Sequence, residues 1–149
     1  RGLGDVYKRQ NVEIDKGLAS LEIGKANLVK EGSDDVIFLN FGSLLHEAIA
    51  VCENLNLTLI DMRFVKPLDE DILRKYLSKA KLFVSLEDGA IKGGAGSSVQ
   101  EFCAEENIII KSKLLGIPDK FIDHASREEM IDEVGLTAKQ IEETLQQLI

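Results

Sequence analysis

The chain has 149 residues, 44% of them hydrophobic, which suits one globular domain with a sizeable core. Charged residues make up 30% and the net charge is −8, so an extended phosphate backbone is repelled and nucleic acid is a poor partner. No apolar run reaches the roughly 18 to 20 residues of a bilayer span, and no basic stretch followed by an apolar one reads as a signal peptide; a soluble, cytoplasmic protein with no membrane partner is expected.

Residues 1–11 open with "RGLGDVYKRQ", which fits no neighbouring pattern and places Arg1, Lys8 and Arg9 in an otherwise acidic chain. They are read as a disordered leader of doubtful origin, a sequence-end artefact or a torn linker, ahead of a domain expected over 12–149. From Ser20 to Glu31, "SLEIGKANLVKE" alternates loosely and is broken by Gly24, predicting one or two short strands at a sheet edge. Gly32, Ser33, Asp34 and Asp35 read as a polar turn. The apolar run "VIFLNFG" after it has the character of a strand buried on both faces, the central one of a parallel sheet. Leu45, Ala48, Ile49 and Cys52 then recur at helical spacing.

"LTLIDMRFVKP", 57–67, predicts a second apolar strand that must stop by Pro67. Asp69 is placed to cap a helix with Glu70 and Asp71 in its first turn and basic residues later. A third strand is expected over Leu82 to Leu86. The helix after it is expected from about Ser98, with a capping box of Ser98 and Glu101 and an inner face of Val99, Phe102 and Cys103. "IIIKSKLLGI" reads as a fourth inner strand. Two short helices close the chain, with capping boxes at Ser126/Glu129 and Thr137/Gln140. Alternating strands and helices imply a three-layer α/β/α domain around a mostly parallel sheet of about five strands. Cys52 and Cys103 fall on apolar helical stripes and read as reduced core residues.

"LFVSLEDGAIKGGAGSSVQEF" has the strand, glycine-rich turn and helix of a phosphate cradle. The dinucleotide pattern fails, because Val99 stands at the third glycine and the next strand ends in Lys111, Ser112 and Lys113, with no ribose-binding acid. A nucleoside-triphosphate loop laid on Gly89 and Gly94 fails as well, with Ala95 at the lysine position. Glu87 and Asp88 add negative charge where an anion would approach, and Lys92 offsets only part of it. Gly89, Gly93, Gly94 and Gly96 therefore read as a turn needing positive torsions and a close strand-to-helix approach. Alternatively, the loop packs on another chain or domain through bare backbone and Glu87.

Other chemistry is sparse. His46 reads as a surface residue. His124 lies in a polar loop with Asp119 and Asp123, either of which could orient a proton-transfer histidine, though turn and cap roles suit the same residues. Asp61 and Arg63 straddle a strand end, as ligand contacts or as an interface ion pair. Neither histidine has a metal-ligand partner at suitable spacing, and no serine sits in a G-x-S-x-G elbow.

Taken in order, "LNFGSLLHEAI", "DMRFVKPLDEDIL", "SLEDGAIKGGAGSSVQEF" and "LGIPDKFIDHASREEMIDEVGL" resemble the C-terminal domain of the 1-deoxy-D-xylulose-5-phosphate synthases, members of the transketolase family. The most specific pieces are Arg63 to Asp69, and Gly116 to Asp119 with Phe121, Ile122 and His124; the resemblance runs from about Val12 onward. Ala125 departs from it, since that family usually has glycine there. C-terminal domains of transketolase and of oxoacid dehydrogenase beta subunits fit these motifs less closely. The resemblance implies a parent enzyme that condenses pyruvate with glyceraldehyde 3-phosphate, with loss of carbon dioxide, using thiamine diphosphate and Mg2+. It also implies that the cofactor and metal are held by the preceding domains, through a Gly-Asp-Gly motif absent from this sequence. No catalytic, cofactor or metal residue carries over. The implied role of this domain is to build the homodimer and support those preceding domains, and the fragment alone is expected to be inactive. A docking module of an oxoacid dehydrogenase beta subunit or transketolase, or a small-ligand regulatory domain, are the alternatives.

Overall fold

The computed structural model describes residues 20–149, so the leader expected over 1–11 lies outside the described residues. Five strands form one sheet: β1 (Asn27–Lys30), β2 (Ser33–Phe41), β3 (Leu57–Asp61), β4 (Leu82–Ala90) and β5 (Lys111–Ile117). Their order is β1-β3-β2-β4-β5, with β1 antiparallel to β3 and the remaining pairs parallel. The helices are α1 (Leu45–Asn54), α2 (Glu70–Leu77), α3 (Ala95–Glu105), α4 (Arg127–Glu133) and α5 (Ala138–Gln146). This is the three-layer α/β architecture expected from the alternation of elements.

β2 occupies the centre because it is apolar toward both faces. Val36 and Phe38 pack with Ala48, Val51 and Cys52 of α1 and with Ile141 and Leu145 of α5. Ile37, Leu39 and Phe41 pack on the other face with Leu73, Tyr76 and Leu77 of α2 and with Val99, Phe102 and Cys103 of α3. Each large apolar side chain buried this way contributes about 1.5–3 kcal/mol relative to exposure. Both cysteines lie within these clusters as free thiols.

Four expectations shift once neighbours are present. Ser33, Asp34 and Asp35 belong to β2 and not to a turn, because Ser33 N–H reaches Asn56 O at 2.8 Å and Ser33 pairs with Leu57. β4 continues past Leu86 to Ala90, which pairs with Ile117 beyond an irregularity in the ladder. β5 is an edge strand that begins at Lys111 rather than an inner one; Ile109 before it is fully exposed, while Ile108 and Ile110 rest on the α2/α3 core. Finally, α3 starts at Ala95 with Gly94 at its N-cap, so the capping box of Ser98 and Glu101 does not form.

The remaining caps follow the sequence. Asp69 accepts Ile72 N–H at 3.4 Å and also Ala26 N–H at 2.9 Å, tying the start of α2 to the chain that leads into β1. Ser126/Glu129 and Thr137/Gln140 form complete capping boxes. Arg74 of α2 makes two 3.0 Å hydrogen bonds to the Glu106 carboxylate just past α3, and its guanidinium lies 5.7 Å from the centre of the Phe102 ring. That pair holds the two helices of one face together.

Candidate functional site

Parallel strands bring β2, β3, β4 and the loop after β5 to one end of the sheet, where most of the candidate residues gather. Glu87 is at the centre of this end and is 5% exposed. Its carboxylate accepts the backbone N–H of Ala95 at 2.8 Å and of Gly96 at 3.2 Å, so a strand residue satisfies the first free amides of α3. A negative charge at a helix N-terminus is also favoured by the helix dipole. The Glu87 carboxylate therefore points inward to the helix of its own chain.

The glycines surround this carboxylate for two different reasons. At Gly94 a Cβ would fall on Ala90 O and the Glu87 carboxylate, and at Gly96 it would fall on Ser85 Oγ and come within 2.8 Å of Leu114 Cδ2. At Gly116 the space is less tight, a Cβ there coming within 2.9 Å of both Glu87 Cγ and Gly89 O. Gly93 alone of the four loop glycines has a positive torsion, φ 72°, with open space where a side chain would project. Gly89 is half-buried near the end of β4. Close approach of helix to strand, more than unusual torsions, is what these positions require.

The other candidates are placed separately. Asp61 and Arg63 form an ion pair at 3.7 Å, and Asp61 also accepts from Asn40 Nδ2 at 3.3 Å; Arg63 has a left-handed backbone, φ 59°, just past the strand end. Asp119 pairs with Lys92 at 3.4 Å across the glycine-rich loop. His124 is exposed, and no hydrogen bond among the described residues links it to Asp119 or Asp123, so no oriented histidine is assembled. His46 is exposed on α1. Burial raises the Cys103 thiol and pushes Cys52 up to about 12, which suits packing and opposes thiolate chemistry.

Three residues whose proximity no local pattern in the sequence announces also meet here. Asp88 accepts Ser43 N–H at 3.1 Å, and Arg127 donates to Ser43 Oγ at 2.9 Å across 84 residues of chain. Nothing local in the sequence joins Arg127 to Ser43; only the packing of α4 beside the β2–α1 turn does.

The phosphate cradle does not fit. The amides that would hold a diphosphate are taken by Glu87, and the same carboxylate would repel it. Among the described residues, no group of three His, Cys, Asp or Glu side chains could hold a metal ion, and no helix is long and apolar enough to cross a membrane. These residues do not fit thiamine diphosphate or Mg2+, and no step is assigned through either group.

The described residues form a mostly parallel α/β domain with a strand-to-helix turn capped by Glu87 at one end of its sheet. Residues 24–141 match the family "Transketolase, C-terminal domain", and the chain belongs to it. In particular, it is 48% identical over 138 residues to 1-deoxy-D-xylulose-5-phosphate synthase of Hahella chejuensis, covering 91% of this chain and 21% of that protein. The synthase of Vibrio parahaemolyticus is 47% identical over 133 residues, covering 89% of this chain and 21% of that one. The chain thus spans about a fifth of the length of these relatives. A solved split-gene transketolase, described as an inactive beta4 tetramer, superposes with a TM-score of 0.79 at 26% identity, over 91% of this chain and 45% of that one.

Proposed function

We propose that this chain is the C-terminal assembly domain of a 1-deoxy-D-xylulose-5-phosphate synthase. The observation that carries the reading is the 48% identity along 91% of the chain to an enzyme of that name. In the complete enzyme, pyruvate and glyceraldehyde 3-phosphate condense with loss of carbon dioxide, and thiamine diphosphate and Mg2+ are held by the preceding domains. This chain contributes no catalytic group. It supports those domains and the homodimer through the exposed end of its sheet.

Two features support that role. The glycine-rich turn spends its amide donors on Glu87, an internal tie that rigidifies the strand end. Beside it, Phe121 in the loop after β5 is 90% exposed, an apolar side chain of a size that a partner surface usually covers. Incubating the purified 149-residue chain with pyruvate, glyceraldehyde 3-phosphate, thiamine diphosphate and Mg2+ should give no 1-deoxy-D-xylulose 5-phosphate. Adding it to a parent enzyme lacking this region should restore assembly and turnover. Product from the chain alone would overturn the reading.

A further inference from the structure

β2 and β4 are neighbours at the centre of the sheet, yet the helices that follow them pack on opposite faces, α1 on one and α3 on the other. Open α/β sheets take ligands at such a point, outside the carboxyl ends of the strands. Here the crevice opens on a cavity of about 280 Å3, walled on its apolar side by residues such as Ile117, Met130 and Val134. The polar side consists of Ser43, Asp88 and Arg127.

The two charges are held apart in a specific way. Arg127 rests on the hydroxyl of Ser43 and Asp88 on its backbone N–H, so a single residue separates a cation from an anion. The loop lysines are engaged elsewhere, Lys92 with Asp119 and Lys120 with Glu133. Neither Arg127 nor Asp88 joins an ion pair among the described residues. The volume lies below the roughly 300–1,000 Å3 of sites for drug-sized ligands, so the occupant must be small. A simple anion would meet Arg127 but be repelled by Asp88, and a simple cation would face the reverse. A ligand carrying both charges on groups bonded to one carbon, together with an apolar tail, satisfies both groups and the wall.

We propose that this cavity binds a free α-amino acid with an aliphatic side chain. Its carboxylate sits on the Arg127 guanidinium, its ammonium on the Asp88 carboxylate, and its side chain on the apolar wall. A guanidinium suits a carboxylate because its parallel N–H groups match the two oxygens. Such binding is independent of the assembly role, since it uses this chain alone.

Isothermal titration calorimetry on the complete 149-residue chain separates the possibilities, with L-leucine as probe and two analogues that each lack one charge, 4-methylpentanoate and 3-methylbutylamine. Leucine should bind, and each analogue should bind at least about tenfold more weakly, the size of a lost hydrogen bond to a charged group. Arg127→Gln and Asp88→Asn should each weaken leucine by a similar factor while keeping the thermal unfolding midpoint. The analogue series needs no variant, so a folding defect in either substitution leaves the proposal testable. No heat at millimolar leucine, or equal binding of leucine and 4-methylpentanoate, would overturn it.

Discussion

The Glu87 carboxylate accepts the backbone N–H of Ala95 at 2.8 Å, so the end of β4 caps the helix that follows it. A second bond, from Gly96 N–H at 3.2 Å, completes the cap. Removing the carboxylate in Glu87→Ala leaves both amides without their acceptor in a buried turn and should destabilise the chain by about 2–3 kcal/mol. Glu87→Gln keeps one acceptor and should lose about half as much. Urea unfolding at neutral pH measures both. An unchanged midpoint in Glu87→Ala would mean that water replaces the cap without penalty.

Gly93 and Gly96 should respond to substitution by different rules. Gly96→Ala places a methyl group against Ser85 and Leu114 and should destabilise by about 1–3 kcal/mol, with Gly96→Val worse. Gly93 has open space around it, so Gly93→Ala carries only the left-handed backbone penalty of about 1 kcal/mol, and Gly93→Asn less than that. Comparable losses for Gly96→Ala and Gly93→Asn would contradict the distinction between close approach and torsion.

Acid should weaken the tie between α2 and α3. Hydrogen bonding to Arg74 holds the Glu106 carboxyl below its usual value of 4.5, and the Ser126 backbone does the same for Glu129. A depressed folded value means that the stabilisation is present above the unfolded value and disappears as pH falls through the folded one. Thermal midpoints followed from about pH 5 to about pH 3 should therefore fall, and less steeply in Glu106→Gln, which has already lost the titrating group. Parallel curves for the two proteins would rule out this contribution.

Thiol labelling should report opening of the core. Burial pushes the Cys52 thiol up to about 12 and raises that of Cys103, and both side chains lie inside apolar clusters. At mildly alkaline pH, a disulfide reagent should modify neither thiol in the native chain and both in denaturant. Rapid labelling of either without denaturant would show a packing looser than described.

Phe121→Asp separates assembly from folding. At 90% exposure the ring contributes little to the chain's own core, so the 149-residue chain should keep its stability within about 0.5 kcal/mol. In the complete parent enzyme, the same substitution should weaken subunit association, read by sedimentation over a concentration series. Loss of stability in the short chain with intact association in the parent would show that Phe121 serves this chain's own fold and not subunit association.

The sequence by itself determined the elements whose signal is local. The apolar run of β2, the helical spacing of Ala48 and Cys52 in α1, and the caps at Asp69, Ser126 and Thr137 are set by residues within a few positions of one another. Alternation of strand and helix then restricts the fold to a mostly parallel sheet, because each apolar face needs cover. The ordered motifs also carried the family resemblance. Tertiary structure decided what depends on neighbours distant in sequence. Ser98 and Glu101 satisfy the local rule for a cap, but Glu87 reaches the helix first, because the glycines let α3 approach β4 closely. β5 reads as apolar as an inner strand but lies at the edge, since only strand pairing sets position in a sheet. The meeting of Arg127, Ser43 and Asp88 has no local trace at all, because it depends on how α4 packs against the strand ends.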